Sequence, residues 1–388
     1  MNQFDCVVVG GGMVGAASAL ALAELGLTVA IIERSAPLTF SPEQAFDLRV
    51  SAISLASEQL LKQLGAWQQL QQWRMCPYKR LGVSESEQSY TEFDAQDISQ
   101  SHLGHIIENR LIQLSLWQKV QQHSNITLFC PETLIKLEQS SAEVELTLST
   151  QILRAKVVIG ADGANSYVRK LANIGTTGWD YAQSAMLINV GTEKPQQDIT
   201  WQQFFQTGPL AMLPMPGNHA SLVWYHNKDA IKRLSALSNT HLEQKVMQQF
   251  PGKLGKVTVI NKAAFPLTRR HANQYHKGRV LLVGDAAHTI NPMAGQGVNL
   301  GFKDVKALQH IIAKAIGSGE AWHQAEVLAR YQQKRRTDNL LMMTTMDALY
   351  LSFGHVSPLA KFARNAGLMM VNKLPSIKNK ALAYACGI

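Results

Sequence analysis

The sequence predicts an α/β protein with a parallel-sheet domain, an inserted antiparallel sheet and a helical C-terminus. Four short apolar runs have the composition of buried parallel strands, and the first is followed by an Ala- and Leu-rich helix at residues 13–25. Residues 181–270 instead alternate apolar and polar positions between polar turns, which is typical of an antiparallel sheet. From residue 295 onward the pattern is mostly helical. The buried-strand runs are residues 4–9, 28–32, 155–160 and 280–283.

Composition narrows the classes of function. With 388 residues, 46% hydrophobic and 17% charged, the chain has room for two globular domains. The net charge of +9 suits an anionic ligand or an anionic membrane surface, but no run of five basic residues and no nucleic-acid motif is present, so we expect no nucleic-acid partner. The N-terminus lacks a basic leader, which predicts a cytoplasmic protein. The four cysteines have no CxxC spacing, so we expect neither disulfides nor a metal site.

A glycine motif lies between the first strand and the first helix. Gly10, Gly12 and Gly15 have the G-x-G-x-x-G spacing. In a strand–turn–helix context, the first permits the tight turn, the second lets the backbone approach a pyrophosphate, and the third allows close packing of helix and strand. Glu33 ends the second strand, where a carboxylate accepts hydrogen bonds from a ribose diol. Arg34, which follows it, is a further candidate to bind the cofactor. The motif therefore predicts a Rossmann-like domain that binds FAD or NAD rather than NADP.

Two further blocks narrow the cofactor. The strand at residues 280–283 runs into Gly284-Asp285-Ala286-Ala287-His288, then Asn291-Pro292 and Gly295-Gln296-Gly297-Val298-Asn299. An earlier block reads Gly160-Ala161-Asp162-Gly163-Ala164-Asn165-Ser166, followed by Val168-Arg169. In order and approximate spacing these blocks resemble the signature of the aromatic-hydroxylase class of flavin monooxygenases, whose fold is typified by 4-hydroxybenzoate hydroxylase. The resemblance covers essentially the whole chain and implies a tightly bound FAD.

The blocks also make physical sense as FAD contacts. Asp285 follows a buried strand, where its carboxylate can accept a hydrogen bond from a ribityl hydroxyl. Gly295, Gln296 and Gly297 open a helix whose N–H groups can stabilise negative charge on the flavin N1–C2=O edge. Pro292 would form a wall beside the ring.

The resemblance places four more residues near the FAD: Arg49, Asp162, Gly163 and Asn299. For Arg49 a solvated loop arginine is the alternative, and for both Asp162 and Asp285 a turn or helix-cap aspartate. His288 fits a structural histidine as well as a base.

The resemblance also implies a division of the chain. We expect a discontinuous FAD-binding domain of residues 1–75, 101–180 and 271–340. A substrate domain would comprise residues 76–100 and 181–270, followed by a C-terminal helical region of residues 341–388.

Within this class the chain is most similar to the ubiquinone-biosynthesis hydroxylases, and among them to those acting on 2-polyprenyl-3-methyl-6-methoxy-1,4-benzoquinol. Stretches outside the FAD blocks carry this similarity. It implies that NAD(P)H transiently reduces the FAD, and that O2 then forms a flavin C4a-hydroperoxide that hydroxylates the quinol ring. The stretches are Ser51-Ala52-Ile53-Ser54, Ala182-Gln183-Ser184, Trp201-Gln202-Gln203-Phe204, Ser221-Leu222-Val223-Trp224-Tyr225 and Phe265-Pro266-Leu267-Thr268-Arg269-Arg270-His271-Ala272.

Several alternatives stay open. In one alternative the enzyme hydroxylates another ring position or a soluble phenol. In another, the chain is a non-catalytic FAD scaffold within a ubiquinone-biosynthesis complex. The sequence identifies no catalytic base; Tyr225 and Gln203 are candidates to face the substrate, with ordinary sheet residues as the alternative. Residues 341–388 carry five basic residues against one acid, Asp347, which fits either peripheral contact with the inner face of an anionic membrane or a helical cap.

Overall fold

The computed structural model describes residues 2–86, 89–250, 254–290, 297–354 and 374–388. Its strands form three sheets. The strands are β1 (Asn2–Val9), β2 (Val29–Ile32), β3 (Val50–Ser54), β4 (Cys76–Tyr78), β5 (Arg80–Ser84), β6 (Thr91–Asp94), β7 (Gly104–Glu108), β8 (Ile126–Phe129), β9 (Leu134–Gln139), β10 (Val144–Leu148), β11 (Ile152–Gly160), β12 (Thr176–Thr192), β13 (Ile199–Gln203), β14 (Leu210–Met215), β15 (His219–Asn227), β16 (Val257–Ala272), β17 (His276–Lys277), β18 (Val280–Leu282) and β19 (His288–Thr289).

The helices are concentrated around the first sheet and at the C-terminus. None of those described combines the length and apolarity needed to cross a membrane. They are α1 (Met13–Ala23), α2 (Leu55–Gln63), α3 (Trp67–Gln72), α4 (Asn109–Gln122), α5 (Tyr167–Leu171), α6 (Lys228–Ala236), α7 (Asn239–Gln249), α8 (Gly297–Gly317), α9 (Ala325–Gly354) and α10 (Pro375–Cys386).

The first sheet is the predicted Rossmann-like sheet. Its order is β17-β18-β11-β1-β2-β8, and the pairs from β18 to β8 are all parallel. Strands β9 and β10 extend from β11 as an antiparallel hairpin. The chain leaves β1 toward β2 on one side and later returns to β11 on the other. The sheet therefore has its topological switch point between β1 and β11, where such folds bind ligands beyond the carboxyl ends of the strands.

Helices α1, α4 and α8 cover this sheet and form the main core. Nine of the eleven residues of α1 are buried, which explains why its sequence is apolar all round rather than on one face. Helix α8 passes close to α1 at Gly301, where an added Cβ would lie 2.5 Å from the Val14 Cγ2 atom. This close crossing brings the start of α8 next to the glycine turn.

The second sheet has the order β19-β16-β12-β15-β14-β13-β5-β6. It was expected to be antiparallel, and all of its pairs are except β13–β5, which is parallel. The parallel pair arises because β5 and β6 come from a separate, earlier part of the chain. Helices α6 and α7, which the alternating pattern of residues 181–270 concealed, cover one face with apolar residues such as Ile231, Leu242 and Val246.

Strands β3, β7 and β4 form a small antiparallel sheet between the two larger ones. The sequence predicts a helical stretch over residues 52–74 and another over residues 105–122, and both predictions are too long. Residues 52–74 contain the end of β3 and two short helices, and residues 105–122 begin with β7. Strands β3 and β7 are short and apolar, and a short apolar run is also found in buried helices. The sequence pattern alone therefore did not separate these strands from the helices that follow them. The α/β class with a helical C-terminus is confirmed; the division into domains stays a prediction.

Candidate active site

Four loops meet at the carboxyl edge of the first sheet. Strand β1 ends before Gly10, β2 before Glu33, β11 before Ala161 and β18 before Val283. Because these strands are adjacent and parallel, the loops that follow them lie side by side. Three sequence blocks separated by more than a hundred residues are thereby brought to one edge.

The glycine turn has the geometry that its spacing predicts. Gly10 has φ +105°, and an added Cβ would lie 2.5 Å from the Ala161 carbonyl oxygen; at Gly15 it would lie 1.9 Å from the Gly10 carbonyl oxygen. At Gly12 a Cβ would meet nothing within 4 Å. Gly12 precedes α1 and provides no side-chain cap, so the N–H groups at the helix start face a phosphate-sized space.

Residues outside the motif also stabilise the glycine turn through hydrogen bonds to Gly11. The Gly11 carbonyl oxygen accepts hydrogen bonds from Gln113 Nε2 at 2.9 Å and Trp117 Nε1 at 2.6 Å, both on α4. Glu33 accepts from the Gly11 N–H at 2.6 Å. One Glu33 oxygen therefore fixes the turn at the position predicted for the ribose contact. Arg34 is exposed beside it and does not line the cavity described below.

The Asp162 side chain forms hydrogen bonds within its own turn and with the start of α5. Its carboxylate accepts from Ser166 Oγ and from the Tyr167 and Val168 N–H groups, at 2.5, 2.6 and 3.0 Å. Gly163 has φ +79°, and nothing lies within 4 Å of its Cβ position. The side chain thus has the alternative, helix-capping role, whereas Gly163 presents open backbone to the cavity.

Arg169 joins the two blocks that the sequence kept apart. Its Nη2 donates to the Ala164 carbonyl oxygen at 2.9 Å and its Nη1 to the Ala286 carbonyl oxygen at 2.7 Å. The turn after β11 is therefore tied directly to the turn after β18.

Asp285 and Arg49 face the cavity without protein partners among the described residues. The Asp285 side chain is open to the cavity but surrounded by protein, and this burial raises the pKa of its carboxyl, against the opposing effect of His288 and Arg49. The Arg49 side chain makes no hydrogen bond or ion pair with a described residue. An unpaired carboxylate and an unpaired guanidinium at one site suit a ligand with both hydroxyl and phosphate groups.

A buried polar network supports the Asp285 turn. Asp304 on α8 is fully buried and accepts from the Gly284 N–H at 3.0 Å, His288 Nε2 at 2.5 Å and Arg335 Nε at 2.8 Å. Asn339 donates to the same carboxylate at 3.1 Å. His288 is 1% exposed, so its place in this network favours the structural role.

Asn299 also contacts protein rather than open space. Its Oδ1 accepts from the Ser54 N–H at 3.1 Å and Ser57 Oγ at 2.7 Å, and its Nδ2 donates to the Ala52 carbonyl oxygen at 2.8 Å. The side chain ties the start of α8 to β3, so any Asn299 contact with FAD would come from its backbone. Gly297 opens α8 as predicted and lines the cavity. Pro292, Gly295 and Gln296 lie outside the described residues.

The loops enclose one wall of a cavity of about 420 Å³. The opposite wall is the second sheet, and the cavity continues to an apolar end between Leu103 and α10. Of its described lining residues, only Arg49 and Asp285 are charged, and both lie on the FAD-side wall. The sheet wall consists of Leu81, Leu187, Thr200, Trp201, Gln202, Ala211, Leu213, Val223, Tyr225 and Phe265.

Three polar groups on residues of the sheet wall lack a hydrogen-bond partner among the described residues: the Tyr225 hydroxyl, the Trp201 Nε1 and the Gln202 amide. Tyr225 is 2% exposed, and its hydroxyl has no hydrogen-bond partner among the described residues. The Gln202 amide likewise makes no hydrogen bond with a described residue. The predicted candidate Gln203 does not line the cavity. Tyr225 stays a prediction, now with a free hydroxyl to support it.

Comparison with known proteins agrees with this architecture. Residues 3–339 match the family model described as an FAD binding domain. The chain is 46% identical over 385 residues to 3-demethoxyubiquinol 3-hydroxylase of Escherichia coli, covering 99% of this chain and 98% of that protein. The chain belongs to the ubiquinone-biosynthesis FAD-dependent hydroxylases. The chain is also 35% identical to ubiquinone hydroxylase UbiL of Rhodospirillum rubrum, and the match covers 99% of this chain and 89% of that protein.

A solved structure extends the comparison to the fold. The p-nitrophenol 4-monooxygenase PnpA of Pseudomonas putida superposes with a TM-score of 0.80 at 20% identity, covering 98% of this chain and 97% of that one. The hydroxylase therefore has this fold, and the family model together with the Escherichia coli relative shows that it is an FAD-dependent monooxygenase. The features of the site fit FAD: the uncapped start of α1, the open space at Gly12, and the unpaired Asp285 and Arg49.

Proposed function

We propose that the hydroxylase acts on the benzoquinol ring of a polyprenyl ubiquinone precursor, 2-polyprenyl-3-methyl-6-methoxy-1,4-benzoquinol. The observation that carries the proposal is the uncharged sheet wall of the cavity. A soluble phenolic acid needs a basic residue beside its carboxylate, and the described residues of that wall include none. A neutral quinol with an apolar tail instead requires an uncharged and largely apolar wall, and the described residues of the sheet wall provide one. The name of the Escherichia coli relative, 3-demethoxyubiquinol 3-hydroxylase, is consistent with this substrate.

The two walls of the cavity have different roles, one in binding the cofactor and the other in binding the substrate ring. Bound FAD, with NAD(P)H as the reductant, supplies the oxygen chemistry. The first-sheet loops hold that cofactor through Gly12, Asp285, Arg49 and the start of α8. The second sheet holds the ring and excludes water, which strengthens the polar interactions that remain.

Two polar groups on the sheet wall suit the two ring oxygens of a quinol. The Tyr225 hydroxyl and the Gln202 amide both lack described protein partners, and a buried polar group without a partner is costly. Burial raises the pKa of the Tyr225 phenol above its usual range, so the hydroxyl stays protonated. We therefore assign Tyr225 to hold the ring in position by donating a hydrogen bond to a ring oxygen.

The apolar end of the cavity suits the first isoprene units of the tail. Tyr78, Leu81 and Leu103 line one side, and Leu382 and Ala385 of α10 line the other. Exposed Leu341, Leu351 and Tyr384 lie on the same C-terminal region, together with Lys378 and Lys380. These features support peripheral contact with an anionic membrane that holds the quinol. Failure to co-sediment with anionic liposomes at low salt would refute that contact.

The central test is product identification with purified, FAD-loaded protein. The demethoxyquinol, a quinol open at a different ring carbon, and a soluble hydroxybenzoate are each supplied with NADH or NADPH and O2. We expect one new hydroxyl on the demethoxyquinol, located by mass spectrometry, with faster NAD(P)H oxidation. Turnover of only the hydroxybenzoate would refute the proposal, and retained FAD without substrate-stimulated oxidation would favour the scaffold alternative. Deletion of the gene should cause the demethoxyquinone to accumulate.

A further inference from the structure

Glu58, His102 and His105 form a compact side-chain cluster beside the apolar end of the cavity. Glu58 is on α2, His102 is just before β7 and His105 is within β7. His102 Nε2 lies 2.8 Å and His105 Nδ1 3.2 Å from the same oxygen, Glu58 Oε2, and the three ligand atoms all lie within 4.8 Å of one another. Two imidazole nitrogens thus converge on one carboxylate oxygen.

The cluster is incompletely satisfied as a set of hydrogen bonds. His105 is 8% exposed, and its Nδ1 atom is buried without a properly oriented hydrogen-bond partner among the described residues. Such atoms are rare in folded proteins and call for an explanation, of which a bound ion is one.

We propose that Glu58 Oε2, His102 Nε2 and His105 Nδ1 bind a divalent cation of the zinc type. Imidazole and carboxylate ligands together favour zinc and its neighbours over magnesium or calcium. Tetrahedral bonds of roughly 2.1 Å place neighbouring ligand atoms about 3.4 Å apart. The two imidazole nitrogens, now 2.8 and 3.2 Å from Glu58 Oε2, would therefore move about 0.6 and about 0.2 Å further from that oxygen. Water takes the fourth position, on the partly exposed His102 side.

The surroundings of the cluster include the outer contacts that metal-binding histidines use. His102 Nδ1 lies 2.8 Å from Ser101 Oγ, so this nitrogen can donate to the hydroxyl while Nε2 binds the ion. The His105 ring is held against Trp67, with centroids 5.0 Å apart. Lys62 occupies the other oxygen, Glu58 Oε1, at 2.6 Å; its charge lowers the affinity without blocking Oε2.

The ion would connect two elements of the cavity wall. Leu103 lies between the two histidines in sequence, lines the cavity and packs with Leu382 of α10. An ion joining α2 to this segment fixes the position of Leu103. The site revises the expectation of no metal, which considered cysteine spacing and missed a glutamate distant in sequence from the histidine pair.

The test uses the full-length, FAD-loaded protein after chelator treatment, titrated with Co²⁺ and then challenged with Zn²⁺. We expect one Co²⁺ per chain, with visible absorption of a tetrahedral site, displaced by Zn²⁺ and not by Mg²⁺. His102→Ala and His105→Gln should each weaken binding at least tenfold, and Ser101→Ala roughly tenfold. His310→Ala, an exposed histidine on α8, is the matched control and should bind as the parent does.

FAD absorbance of each variant reports whether the chain is folded. Absence of saturable binding by the parent would overturn the proposal. So would equal affinities of the parent and folded His102→Ala and His105→Gln, since the ion would then be held elsewhere. Displacement of Co²⁺ by Mg²⁺ as readily as by Zn²⁺ would also contradict it.

Discussion

Replacing Asp304 by Asn tests whether the buried network behind the Asp285 turn holds the FAD-binding loops. The Asp304 carboxylate accepts four hydrogen bonds, from the Gly284 N–H, His288, Arg335 and Asn339. An amide of the same shape has one accepting oxygen, and its NH₂ group must face donors. Arg335, with 4% of its side chain exposed, would retain its charge without this partner. We expect a loss of about 3–5 kcal/mol in the free energy of unfolding, as for other broken buried ion pairs.

The chain offers a matched control for this change. Asp338 also pairs with Arg335, at 3.0 Å, but 58% of its side chain is exposed. Asp338→Asn should therefore cost less than about 1 kcal/mol. Urea unfolding of FAD-free protein, followed by tryptophan fluorescence and circular dichroism together, measures both. Equal losses in the two variants would refute the role of the network, as would unchanged FAD affinity of Asp304→Asn.

The pH dependence gives an independent readout of the same group. Burial alone would raise the pKa of Asp304, but His288 and Arg335 outweigh it and hold the pKa at about 2, below the value of 3.8 expected of an unfolded aspartate. A lowered pKa contributes stability above about pH 4 that is lost as the pH falls through 2. The parent should therefore lose stability more steeply than Asp304→Asn between pH 4 and 2. Parallel curves would show that the charge contributes nothing.

Three further predictions concern the cavity. Gly15→Ala should destabilise the FAD-free protein by about 1–3 kcal/mol, because its Cβ would lie 1.9 Å from the Gly10 carbonyl oxygen. Gly12→Ala should change the stability of the FAD-free protein by no more than about 0.5 kcal/mol, because its Cβ meets nothing within 4 Å. The Gly12→Ala protein should nevertheless retain less FAD, as measured by flavin absorbance. Tyr225→Phe should lower kcat/KM roughly tenfold while stability is unchanged or rises by up to about 1 kcal/mol, since the lost hydroxyl is unpaired; a loss of stability would contradict this. Ala385→Phe should raise KM for a long-tailed quinol about tenfold and leave a short-tailed analogue unaffected, with exposed Ala381→Phe on the same helix as the control.

The parts of the site that a sequence can indicate are those determined by local backbone geometry. Gly10, Gly12 and Gly15 are recognisable because a tight turn and a close helix approach exclude side chains, whatever the rest of the chain does. Glu33 and Asp285 are recognisable because each directly follows a short apolar strand, and the ends of parallel strands share one edge. Asp162 follows the same rule, but its side chain caps α5, and the sequence could not distinguish the two roles.

The supporting contacts were not predictable, because they depend on how distant segments are placed. Arg169 reaches Ala286 across more than a hundred residues, and Trp117 reaches Gly11 from another helix. In sequence, Trp117 looks like an ordinary helical residue, and Arg169 belongs to a recognised block without any sign of the partner that it contacts. Asp304 is likewise an isolated acid in an amphipathic helix until the fold places His288 and Arg335 around it. Loop conformation is thus encoded at the loops, whereas their mutual position is encoded in buried polar residues elsewhere. Substitutions at Arg169 or Asp304 should therefore loosen FAD without altering any residue that lines the cavity.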